Sequence, residues 1–114
     1  MSEAQVESVQ LSIKNAEHNI DLGEALQKLV KNASFKKVIL EGYFEKEASR
    51  VVLLKAEPSM DSDKTQKALD DSITSIGGLR QYFRTLTAVS NQSKKALQDY
   101  RITLDELRNE GAGE

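Results

Sequence analysis

Residues 62–110, SDKTQKALDDSITSIGGLRQYFRTLTAVSNQSKKALQDYRITLDELRNE, decide the fold. Leu69, Ile73, Ile76, Leu79, Phe83, Leu86, Val89, Ser93, Leu97, Tyr100, Leu104 and Leu107 recur at spacings of three and four throughout. That period belongs to one face of a helix; a strand would alternate every second residue. No proline interrupts the stretch, Ser62 or Asp61 can cap its start, and Asp63 falls in the first turn, where the helix dipole favours an acid. The expected helix is roughly 70 Å long at about 1.5 Å per residue. Gly77-Gly78 lies inside it, at a cost on the order of 2 kcal/mol relative to alanine. Such a pair implies a kink, the close approach of a neighbouring backbone, or a break into two shorter helices.

Working back from there, Glu57 to Asp61 reads as a tight loop closed by Pro58, because the residue before proline avoids the helical region. Phe35, Val38, Ile39, Phe44, Ala48, Val51, Val52 and Leu54 describe a strongly apolar helix over about 34–57. Val51-Val52-Leu53-Leu54 resembles a strand, but its flanking charges and helical spacing favour a helix. Asn32-Ala33-Ser34 supplies the interruption and the cap. Asp21-Leu22-Gly23-Glu24 reads as another helix start, with Asp21 capping and Glu24 reaching back, and Leu26, Leu29 and Val30 continue to 32. Val6, Val9, Ile13, Ala16 and Ile20 mark a first helix over 3–20. The sequence therefore predicts an all-α protein: one helical domain over 1–114, a hairpin or small bundle with one long C-terminal helix and coiled-coil-like packing.

The 34–57 helix reaches only roughly 35 Å, so it covers about half of the long helix. Either the N-terminal helices cover the remainder, or a second copy or another protein does. The sequence expectation is a homo-oligomer whose working surface is the stripe Phe83, Leu86, Leu97, Tyr100, Leu104 and Leu107, flanked by Arg80 and Arg84. Intramolecular core is the competing role, most evenly for Phe83 and Leu86, which lie nearest the hairpin. Glycine amid good helix formers points to a tight interhelical crossing at Gly42, Tyr43, Gly77 and Gly78.

Composition narrows function further. With 39% hydrophobic and 30% charged residues, three Phe, three Tyr and no Trp, the core is thin. The absence of cysteine removes disulfides, thiolate nucleophiles and Cys-ligated zinc, and suits a cytoplasmic setting. No apolar run approaches the length of a membrane helix, and the N-terminus lacks the features of a signal peptide. His18, with Glu17 and Asp21 nearby, lacks the further ligands a metal needs and reads as a surface histidine. Glu41, Glu45 and Glu47 form an acidic cluster, but Lys37, Lys46 and Arg50 stand within helical pairing distance, so surface ion pairs explain it better than Mg²⁺ chemistry. GxSxG, GxxxxGK[ST] and GxGxxG are all absent. The expectation is a non-enzymatic protein with no cofactor.

The net charge is −2, yet residues 80–101 carry Arg80, Arg84, Lys94, Lys95 and Arg101 against Asp99 alone. Residues 102–114 carry Asp105, Glu106, Glu110 and Glu114 against Arg108. This polarity suits a solvated face, an antiparallel protein partner, or a nucleic-acid or nucleotide contact in which Tyr82 and Tyr100 stack.

The pattern Leu26-x-x-Leu29-x-x-Asn32-x-x-Phe35-Lys36-Lys37-Val38-Ile39-x-x-Gly42-Tyr43-Phe44-x-x-Glu47-Ala48-x-Arg50 resembles segments in small uncharacterised helical proteins of tailed bacteriophages. The resemblance implies a context of assembly factors, minor virion components or inhibitors of host proteins, in the host cytoplasm or the virion. It assigns no functional residue. On physical grounds alone, Phe35, Ile39 and Phe44 of the same stretch are core, and Asn32 or Ser34 ends one helix and caps the next.

Overall fold

The computed structural model describes residues 3–113, which are helical apart from connections at Asn32 and between 56 and 62, with no strand among the described residues. Helix α1 spans Glu3–Lys31, with Glu3 in its first turn and Lys28 and Lys31 in its last, each complementing the helix dipole. Asn32 leaves the helical region at φ −70° and ψ 127°, and its Oδ1 accepts the Phe35 N–H at 3.0 Å. One residue thus ends α1 and caps the next helix.

The central helix then runs without a break through α2 (Ala33–Phe35), a π-helical segment (Lys36–Glu47) and α3 (Ala48–Lys55). Glu57, extended at φ −75° and ψ 122°, precedes Pro58 as the proline requires, and a 3₁₀ turn covers Pro58–Met60. Gln66 Nε2 ties this connection down by donating to the carbonyls of Met60 (2.8 Å) and Lys55 (3.3 Å). Ser62 Oγ accepts the Thr65 N–H at 3.2 Å and so caps α4, Asp63–Gly113.

Two sequence expectations are corrected here, the helix start at 21–24 and the tight crossing at Gly42, Gly77 and Gly78. The break at residues 21–24 does not occur. Asp21 and Glu24 are exposed on an unbroken α1, and Gly23 is buried by a neighbouring helix, so its low helix propensity is offset by packing. Helix α4 runs unbroken through Gly77-Gly78, as the spacing predicts, but a Cβ at either glycine would meet nothing within 4 Å, so the expected crossing is absent there. Finally, residues 36–47 widen into a π-helix, a form usually confined to single turns. Gly42 belongs to that widening. A Cβ there would lie 2.9 Å from the Lys37 carbonyl oxygen, five residues back in its own helix, so the expected interhelical crossing is absent at Gly42 as well.

Because Gly77 and Gly78 are exposed and uncontacted, alanine at each is expected to stabilise the protein by about 1 kcal/mol, through helix propensity alone. Denaturant midpoints of the single and double variants check this; unchanged midpoints would show that the glycines are not helical in solution.

The chain divides into two compact units, Met1–Leu26 with Leu86–Glu114, and Gln27–Thr85. In the first, α1 packs antiparallel on residues 86–113 of α4. Gly23 abuts Ser90, Asn19 Nδ2 donates to Ser93 Oγ at 3.3 Å, Glu17 approaches Arg101 at 3.8 Å, and Val6 and Gln10 share a groove with Leu107 and Arg108. Of the two ways to cover the end of the long helix, this unit therefore uses the N-terminal segment. Its buried side chains are small or aliphatic: Ala16, Leu26, Ser90, Ser93 and Leu97.

In the second unit, the central helix packs antiparallel on residues 63–85 of α4. Val51 (1% exposed) and Ile76 (4%) form its interior. Lys55 pairs with Asp70 near the loop, and Phe35 and Phe44 flank Phe83 further along, with ring centroids 5.9 and 5.7 Å from it. Edge-on and tilted rings at such distances add specific attraction to simple burial.

Candidate interaction surfaces

The stripe expected to be the working surface is largely spent inside the two units. Phe83 is half-buried among aromatic rings, Leu97 is buried at 9% exposure, and Leu86, Tyr100, Leu104 and Leu107 are half-buried. Arg80 and Arg84 are exposed, and the Arg80 guanidinium stands over the Phe44 ring, 5.8 Å from its centroid. Of the four residues expected at a tight crossing, Tyr43 lies beside Phe44, with centroids 6.0 Å apart, and Gly42 opens toward Leu79. The close approach occurs instead at Gly23. Its signal in the sequence is the small-residue series Ala16 and Gly23, seven apart, which recurs on α4 as Ser90 and Ser93.

The basic residues also acquire a structural role in the first unit. Arg101 approaches Glu17, and one heptad along, in opposite chain directions, stand Lys94 and Glu24. Flanking charges of this kind set the register of an antiparallel helix pair. Arg84, Lys94 and Lys95 are exposed.

Two apolar surfaces in the second unit were not anticipated. An open depression of about 560 Å³ is lined by Val38, Ile39, Gly42, Tyr43, Glu47 and Leu79. Gly42 leaves room at its base, and Val38 is 64% exposed at its edge. Glu47 borders it, with Oε2 accepting from Arg50 Nε at 3.0 Å; that hydrogen bond holds the carboxyl below its ordinary range, and the Arg50 charge adds to the effect. The second surface lies on α3, where Ala48, Ser49, Val52 and Leu53 form an outer face. Val52 is 54% exposed and Leu53 71%, beside the fully buried Val51. The run of four apolar residues at 51–54 carried this signal, because a helix packed on one side cannot bury four consecutive side chains.

Chemistry has little purchase here. His18, Glu41 and Glu45 are exposed, Glu47 is engaged with Arg50, and among the described residues no three His, Cys, Asp or Glu side chains converge as a metal site would require. None of the described helices is long and apolar enough to cross a membrane. What the arrangement offers is helix faces with exposed aliphatic groups, which suit contact with other polypeptides. Comparisons with protein-family models, with curated proteins and with solved structures each give no match.

Proposed function

We propose that this chain is a non-enzymatic helical interaction protein, an assembly or adaptor factor that works by presenting helix faces to other polypeptides, itself included. The observation that carries the reading is the outer face of α3. Val51 is 1% exposed and holds the unit together, whereas its neighbours Val52 and Leu53 are more than half exposed and serve no packing role within it. Together with Ala48 and Ser49 these two adjacent aliphatic groups make a continuous apolar face that a partner helix could cover. The phage-like pattern at 26–50 includes the helix that leads into this face, and it supports a role as a phage accessory or minor structural protein acting in the host cytoplasm or the virion.

The test uses the purified full chain and a Val52→Asp/Leu53→Asp variant. The intact chain is expected to capture a polypeptide from its native host that, once identified and purified, binds saturably at fixed stoichiometry, with binding lost in the variant. Binding to labelled duplex or single-stranded nucleic acid that weakens roughly tenfold or more between about 50 and 200 mM salt would overturn the reading. In that case Arg84, Lys94 and Lys95 would be the functional residues. Absence of any stoichiometric protein partner would overturn it too.

A further inference from the structure

Helix α1 carries two stripes. The first, Val6, Val9, Ile13, Ala16, Ile20 and Gly23, is buried or half-buried. The second, Ser8, Leu11, Asn15, His18, Leu22 and Ala25, also advances by threes and fours, flanked at the same spacing by Ala4 and Leu29, and every member is exposed, Leu11 at 59%, Leu22 at 36% and Leu29 at 43%. Exposure alone does not say what covers a stripe. Its order does: small, leucine, polar, polar, leucine, small. Over the six residues from Ser8 to Ala25 that order is unchanged on reversal, which is the property an isologous two-fold interface demands of each surface, and in the same register Leu29 would lie over Ala4. In an antiparallel pairing of two such stripes, Leu11 faces Leu22, Asn15 faces His18 and Ser8 faces Ala25, each contact made twice.

The flanking charges point the same way independently. Glu7, Lys14, Asp21 and Lys28 succeed one another at seven-residue intervals along one edge of the stripe, alternating in sign. An alternating series of four is complementary to its own reverse, so the register that joins Leu11 to Leu22 also sets Lys14 beside Asp21 and Glu7 beside Lys28. A parallel pairing would not bring these edges together. Among the described residues Lys14 and Asp21 are exposed and form no ion pair, and an open depression of about 480 Å³ lined by Glu7, Gln10, Leu11, Ile13, Lys14 and Glu17 runs along this edge of the stripe.

We propose that the outer stripe of α1 docks against the same stripe of a second copy of this chain, antiparallel, with Asn15 and His18 forming a central polar layer that fixes the register. The inference rests on the reading of the chain as an interaction protein and names one of its partners. With two leucines per copy in the seam, the association is concentration-dependent.

Light scattering on the full chain across a concentration series should show the mass rising from one copy toward two. Lys14→Asp and Asp21→Lys should each weaken this by about tenfold or more, because each places like charges together twice per pair. Mixed in equal amounts, the two variants should associate as the wild type does, since opposite charges again meet at both positions. Circular dichroism should be unchanged in both, as the positions are exposed. A single-copy mass at all concentrations would overturn the proposal. So would variants that associate undiminished, or a mixture that fails to recover. If the chain stays single yet still binds a foreign polypeptide through Val52 and Leu53, this inference falls and the broader reading stands. Self-association abolished by Leu53→Asp instead would move the interface to α3 and also overturn it.

Discussion

Alanine in place of Gly23 is expected to destabilise the protein by about 2 kcal/mol, although helix propensity alone predicts a gain of about 1 kcal/mol. The added methyl would fall within the van der Waals envelope of the Ser90 Cβ and Oγ. The hydroxyl can rotate away; the Cβ cannot, because it is fixed to the backbone of α4. The helices must then separate locally, which loosens the neighbouring Asn19–Ser93 hydrogen bond and the packing of Ala16. Replacing Ser90 by glycine removes the obstructing carbon, so Gly23→Ala combined with Ser90→Gly should recover much of the loss, with a coupling energy on the order of 2 kcal/mol. Denaturant unfolding of the four proteins in the cycle measures this directly. Additive effects would show that the two helices do not meet at these residues.

Aspartate at Val51 should cost the second unit on the order of 4 kcal/mol. At 1% exposure Val51 has no route to water, and a carboxylate there must either be buried unpaired or take up a proton at neutral pH. The aliphatic contacts with α4 are lost as well. The same change at Val52 or Leu53 alters the same chemistry one or two positions along, yet stability should move by no more than about 0.5 kcal/mol, because these side chains already stand in solvent. Adjacent positions should therefore differ by several hundredfold in folding equilibrium. Comparable losses at Val51 and Val52 would mean that α3 is turned differently about its axis.

Much of this architecture was legible from spacing. The run of threes and fours from Leu69 to Leu107 located α4, and Asn32 and Pro58 marked the ends of helices by chemistry that acts within a few residues. What spacing does not record is the object a stripe faces. Leu97 and Leu104 carry the same signal whether α1 or a foreign helix covers them, and only the folded chain shows α1 there. Glycine was ambiguous for a related reason. Gly23, Gly42 and Gly77 are identical in the sequence, but one abuts a serine across a helix pair, one accommodates a carbonyl of its own widened turn, and one faces open space. Asp21 and Glu24 misled because the residues of a capping box are also ordinary residues of a solvated helix face. The π-helical segment left only a faint mark, the step of five from Ile39 to Phe44 between steps of four on either side, too short a departure to be told from an irregular α-helix.

The small, sparse interior of the two units has a thermal consequence. The heat-capacity increase on unfolding comes chiefly from apolar surface newly exposed to water. Here the buried apolar groups among the described residues are Ala16, Leu26, Val51, Ile76 and Leu97, and part of the first unit's contact is made by serines. Its increment should accordingly fall below the roughly 12–15 cal/mol/K per residue of ordinary domains, which flattens the dependence of stability on temperature. Such a protein loses structure gradually on warming, and little on cooling.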